Sequence, residues 1–195
     1  NSIPFDYLNN KYQIDLVKDI DIIFVGRANK FKLPYFILEI LEYLANNGKK
    51  IFIIGEGKSK DNYIKLNKNS LINFYDFVPH NELIKLLQRS KYFISCSDSE
   101  PFGIVFLEAL LYGCNLISPR SGGLLEIASI FPSSYRNRFN FYDNDKDAKN
   151  LLEGLDFNHN NISSNKLNRI YKIIEKEFNP EKHAREIISN FENQD

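Results

Sequence analysis

The chain contains no tryptophan and no methionine, only two cysteines, and no excess of either charge sign. Each shortage narrows the range of functions. Lys+Arg and Asp+Glu both total 25, so no net field draws the protein toward nucleic acid or an anionic membrane, and local patches must carry any anion binding. Cys96 and Cys114 lie apart, without a CxxC or His-rich setting, which argues against a zinc site and suits a reducing cytosol. No apolar run approaches the ~18 to 20 residues of a membrane span, and no charged-then-apolar signal segment opens the chain. The protein therefore reads as soluble and cytoplasmic, with peripheral contact at the cytoplasmic face of a membrane left open. The missing tryptophan and methionine, like the abundance of Asn, Lys and Ile, is compositional bias without functional content.

At 195 residues with 43% hydrophobic content, the chain has the size of one domain with a real core. Short apolar runs at Asp21 to Gly26, Lys50 to Gly55, Leu71 to Phe74, Lys91 to Cys96 and Cys114 to Ser118 read as buried strands, with a last one at Phe139 to Tyr142. Helical stretches at Pro34 to Asn47, Asp61 to Lys68, Asn81 to Ser90 and Phe102 to Tyr112 separate them, and Leu124 to Ser129 follows the fifth strand. Further helices are expected at Asp145 to Leu155, Ser163 to Phe178 and Pro180 to Phe191, with a polar loop from Phe157 to Ser164. No internal repeat is present. Strands alternating with helices predict an α/β, Rossmann-like parallel sheet of about six strands with helices on both faces and right-handed crossovers. Ligands of such sheets bind at the carboxyl ends of the strands. Arg27, Lys32, Gly55, Gly57, Glu100 and Gly103 all follow strand ends and should converge on that edge.

The most informative segment runs from Ser99 to Gly113. It places Glu100 and Glu108 eight positions apart, around Gly103, which opens an otherwise almost wholly apolar helix. Helix N-termini expose unpaired N–H groups and the positive end of the dipole, so Gly103, Ile104 and Val105 offer donors to an anion. Glu100 stands just outside that terminus and Glu108 about one and a half turns inside it. A glutamate often occupies a solvated helix face, but the apolar neighbours of Glu108 leave little room for water, and a carboxylate there needs a partner. A phosphate between two acceptors suited to hydroxyls matches a nucleotide sugar: sugar, diphosphate, ribose.

With these elements placed, the chain resembles the C-terminal, nucleotide-sugar-binding half of GT-B glycosyltransferases, in the retaining group called family 4 or group 1. The likeness covers residues 1 to 150 best. Its most specific element is the E-x7-E motif, Glu100 to Glu108. Phe24-Val25-Gly26-Arg27 with Lys32, Gly55-Glu56-Gly57, Phe74 through Leu83, and Ser121 through Ile127 support it in the family's order. The resemblance implies that Arg27 and Lys32 hold the donor diphosphate and stabilise its charge as the glycosidic bond breaks. It implies that Glu100 binds hydroxyls of the transferred sugar, making Arg27, Lys32 and Glu100 the catalytic set. Glu108 would grip the ribose, Phe77 and Val78 would wall the base pocket, and Gly55, Gly103, Ile104 and Val105 would complete the donor site. The substrate would be a UDP-, GDP- or ADP-linked sugar, with no metal, other cofactor or nucleic acid required. Residues 1–20 would be an interdomain lead-in and 163–195 the C-terminal helices of a single domain. The resemblance implies an N-terminal acceptor domain of similar size, expected to be absent from this chain, and the opening Asn1-Ser2-Ile3-Pro4, without a start residue or a strand of its own, suggests that something was cut away before it. The parent enzyme would transfer sugar to an acceptor hydroxyl, in cell-surface glycan synthesis, while the isolated domain would turn over little or none.

Alternatives remain for several of these residues. Gly55 and Gly57 suit a tight turn as well as a phosphate, Lys30 lies close to Lys32, and Glu126 is either a site residue or a first-turn charge. His80 borders the base-side loop and is read as a surface residue. Asp19-Ile20-Asp21 and Asp143-Asn144-Asp145 look like metal-binding DxD signatures, but one precedes a strand and the other reads as a turn with a helix cap. Asp76 and Leu33 depart from the family pattern, which usually has glycine at the first and glycine or a polar residue at the second. A nucleotide-sugar epimerase of the same architecture and a non-catalytic doubly wound module are the competing classes. The first would carry additional acid and base groups, and the second clustered acidic residues at strand ends where this chain has Gly26-Arg27.

Overall fold

In the computed structural model, residues 17–67, 70–97, 103–120, 123–158 and 162–178 are described. Six strands form one parallel sheet: β1 (Ile20–Val25), β2 (Ile51–Ile54), β3 (Asn73–Tyr75), β4 (Ser90–Ile94), β5 (Asn115–Pro119) and β6 (Phe139–Tyr142), in the order β3-β2-β1-β4-β5-β6. This is the expected Rossmann-like sheet. The inner strands are short runs of Ile, Phe and Leu that bury both faces, as a sheet sandwiched between helices requires. Ile23 faces one core, with α3 (His80–Arg89), α4 (Ile104–Leu111), α5 (Gly123–Ile130) and α7 (Ser164–Phe178). Ile22 and Phe24 face the other, with α1 (Tyr35–Asn46), α2 (Lys58–Leu66) and α6 (Asp145–Glu153).

Element boundaries follow local chemistry. Helix α1 starts after Pro34, which occupies the cap position, and ends where Gly48 and Lys49 donate back to the carbonyls of Ala45 and Leu44. Helix α2 begins at Lys58, three residues before the expected start, because Gly57 already turns the chain into it. Edge strand β3 runs from Asn73 to Tyr75, displaced from the expected Leu71 to Phe74; its half-exposed residues lack the strong apolar run of the inner strands. A 3-10 turn over Ser133–Arg138 was not expected from the sequence. The expected helix at Pro180 to Phe191 lies outside the described residues.

The two aspartate pairs are structural. Asp19 accepts two hydrogen bonds from Arg89 and one from Lys50, all at 2.7 Å, while Asp21 accepts from Lys91 at 2.7 Å and from the Lys50 amide at 2.8 Å. They fasten the amino ends of the central strands. Asp143 pairs with Arg120 at 3.0 Å, and Asn144 caps α6 by accepting from the Asp147 amide. The hydrogen bonds from Arg89, and then the one from Lys50, hold the Asp19 carboxyl well below the ordinary carboxylate range. A depressed folded-state value means that its contribution is present above the unfolded value of about 4 and is lost as pH falls toward the folded one. Because its side chain is 37% exposed, solvent screening limits the effect to about 1 kcal/mol or less. Chemical denaturation should therefore show Asp19→Asn less stable than the parent at pH 7, with the difference fading below about pH 4. A difference independent of pH would contradict this account.

Candidate donor-binding site

Strand order reverses between β1 and β4, which opens a crevice at their carboxyl ends. Their registers finish level, with Phe24 beside Ile53 on one side and Ile94 on the other. A cleft of about 270 Å³ occupies this point, and Gly26, Lys32, Ser95, Ser97 and Val105 are among its lining residues. Thus the loop after β1, the end of β4 and the first turn of α4 meet in one place.

Lys32 owes its position to the loop around it. The Asn29 side-chain oxygen accepts from the amides of Phe31 and Lys32, at 3.0 and 3.1 Å, while its carbonyl accepts from Leu33 at 2.7 Å. This Asx turn is pinned from below by Leu33, which is wholly buried. The departure at that position is therefore a core plug. Arg27 follows Gly26 directly and is exposed at the same sheet edge.

Helix α4 has Gly103 at its N-cap and no side-chain cap. The Phe106 amide donates to the Gly103 carbonyl at 2.9 Å, so the amides of Gly103, Ile104 and Val105 precede the internal ladder. Glu108, in the same helix, is buried, and its Oε1 lies 3.5 Å from Nε2 of His80. A contact this long is an electrostatic approach more than a formed hydrogen bond. His80 is exposed, as the sequence leads one to expect, and from the start of α3, just after Phe77 and Val78, it also reaches the buried Glu108. Ser95 and Ser97 were also missed, although they follow β4 at the carboxyl edge of the sheet like the residues that were selected.

Gly55, expected in the donor site, meets a structural demand. Its amide is committed to the Tyr75 carbonyl at 2.8 Å, and a Cβ there would stand 1.8 Å from the Gly26 carbonyl oxygen. Gly57 likewise leaves room for the Ala28 carbonyl, 2.3 Å from where its Cβ would be. These glycines let two loops lie against each other, main chain on main chain, with Ala28 donating to Glu56 and Ser59 donating to Ala28. They shape the platform under the cleft.

On the base side, Phe77 is exposed and Val78 packs against the first core. Neither lines the cleft itself; both lie in the loop that delivers His80 to Glu108. Asp76 pairs with Lys60, which is buried, and no described non-glycine residue has a positive φ. The departure at Asp76 thus neutralises a buried cation and does not form a left-handed turn. Glu100 lies outside the described residues, as do Ser99, Pro101 and Phe102. Among the described residues no group of three or more His, Cys, Asp or Glu side chains could hold a metal. No helix among them is long and apolar enough to cross a membrane.

The parallel sheet, ordered β3-β2-β1-β4-β5-β6, is Rossmann-like. The chain belongs to the glycosyl transferases group 1 family, whose profile matches residues 9–156. It is similar to an uncharacterized glycosyltransferase of Methanocaldococcus jannaschii, 34% identical over 112 residues, covering 54% of this chain and 28% of that protein. The chain spans less than a third of the length of the curated relatives it matches. In fold it resembles the crystal structure of TarM, with a TM-score of 0.67 at 17% identity over 91% of this chain and 37% of that one. It also resembles Anabaena HepE in complex with UDP and glucose, with a TM-score of 0.62 at 14% identity over 90% and 48% of the two chains.

Proposed function

We propose that this chain is the donor-binding half of a retaining glycosyltransferase that takes a nucleotide sugar and transfers its sugar to an acceptor hydroxyl. One observation carries the reading: Lys32 and the first turn of α4 line the same cleft at the β1–β4 switch point. A diphosphate seated there meets backbone N–H donors from Gly103, Ile104 and Val105 on one side and the charge of Lys32 on the other, with Arg27 beside it. As the bond between sugar and phosphate breaks, negative charge grows on the leaving diphosphate. Cations fixed at that point stabilise the transition state more than the bound substrate. Arg27 and Lys32 supply this charge without a divalent cation. Glu108, buried next to His80, takes the ribose hydroxyls, Phe77 and Val78 flank the base, and Glu100 binds hydroxyls of the sugar. Retention follows from attack on the face that the diphosphate leaves, with the phosphate itself receiving the acceptor proton.

The HepE complex contains UDP and glucose, and its fold likeness makes UDP the first nucleotide to try. An acceptor domain from elsewhere in the parent enzyme closes over the donor and excludes water, in the service of cell-surface glycan synthesis at the cytoplasmic face of a membrane. Calorimetric titration with UDP, GDP and ADP should give saturable binding of one nucleotide, weakened roughly tenfold or more by Lys32→Ala. Failure of all three to bind, or equal affinity in the variant, would refute this site.

A further inference from the structure

A second cavity, of about 470 Å³, opens at the opposite edge of the sheet. It sits at the amino ends of the strands, where Lys18 precedes β1, Lys91 enters β4, Asn115 opens β5 and Arg138 precedes β6. Four basic side chains line it, those of Lys18, Lys91, Arg138 and Lys166, and no carboxylate does among the described residues. Among the described residues Lys91 has an acidic partner close by, Asp21.

The two deepest cations differ in their surroundings. Lys18 is 3% exposed, and its ammonium donates to the carbonyls of Ser90 and Tyr112, at 2.5 and 3.1 Å, so it caps the C-termini of α3 and α4. Gly113, with φ of +79°, keeps a Cβ from crowding the Lys18 side chain and Ile162. Arg138 donates from Nη2 to the Cys114 carbonyl at 3.0 Å. Its Nε is the one buried side-chain nitrogen or oxygen among the described residues without a partner. A buried guanidinium donor left unmatched is costly, and native proteins seldom carry one without a reason. Burial pulls the Lys18 amine below its ordinary value, and the Arg138 charge adds to that effect. Burial likewise disfavours the Arg138 charge; an anion in the cavity would offset the burial of both charges, although the sealed Arg138 Nε would feel it only electrostatically.

We propose that this cavity is a binding site for a phosphate group, either inorganic phosphate or a small phosphate ester, separate from the donor cleft. The volume suits a small metabolite, and the lining suits a tetrahedral oxyanion: the charges of Arg138 and of the exposed Lys166, with the polar side chains of Asn115 and Ser163. Occupancy would tie the β6 end of the sheet to the start of α7.

The test is an NMR titration of the isotopically labelled chain with inorganic phosphate, glycerol phosphate and UDP in chloride buffer. Phosphate or its ester should move the amides of Gly113, Asn115, Asn137, Arg138 and Ser163, whereas UDP should move those of Lys32 and Val105. Tighter binding of glycerol phosphate would identify an ester, and equal binding free phosphate. Lys166→Gln, an exposed change that spares the fold, should weaken the phosphate response roughly three- to tenfold. Arg138→Gln should weaken it further, and Lys166→Gln decides the matter if that variant does not fold. Phosphate shifts confined to the Lys32 edge, no saturable shift at all, or an unchanged response in Lys166→Gln would overturn the proposal.

Discussion

Replacing Lys32 by alanine in the complete enzyme should lower sugar transfer by roughly two to three orders of magnitude, the loss typical of removing one fixed stabiliser of developing charge. Lys32 is a lining residue of the switch-point cleft, and its backbone is held by the Asn29 turn and the buried Leu33. The fold should therefore survive the change, and thermal unfolding should stay close to that of the parent. Arg27→Ala should behave in the same direction. The decisive comparison is between kcat and KM. An interaction made mainly in the transition state lowers kcat and kcat/KM together, whereas one made equally with bound donor raises KM alone. A variant with parental turnover would remove Lys32 from the mechanism.

Gly55→Ala should produce the opposite pattern, with loss of the folded protein rather than loss of chemistry. At φ of +137° an L side chain is strained, and its Cβ would stand 1.8 Å from a main-chain oxygen that cannot swing aside. The strands behind that contact would have to separate, at a cost of roughly 3 kcal/mol or more, against the ~5–15 kcal/mol that holds a typical domain together. Denaturant titration measures it directly. An alanine variant of near-parental stability that fails only in donor binding would show that Gly55 serves the ligand rather than the neighbouring loop.

These contrasting expectations show what was legible in the sequence and what was not. Strands β1, β2, β4, β5 and β6 stood out because burial on both faces demands continuous apolar runs, and the edge to which their following loops converge comes from parallel topology alone. The buried state of Glu108 was legible for the same reason, since its neighbours in α4 are nearly all apolar. Gly55 was harder to read, because a glycine needed by a ligand and one needed by an adjacent loop look alike until the loops are seen together. The His80 contact joins residues 28 positions apart on different helices, which no local pattern reports. Lys60 and Asp76 form another such pair, and each reads in isolation as an ordinary surface charge.

The stitched main chains of the β1 and β2 loops also bear on how such a domain diversifies. Because the hydrogen bonds run from amide to carbonyl, from Ala28 to Glu56 and from Ser59 back to Ala28, they are indifferent to the side chains at Arg27, Glu56 and Lys58. Mutation can rewrite the exposed chemistry at Glu56 and Lys58 while the ledge beneath keeps its shape, so the surface beside Arg27 can change without a stability debt.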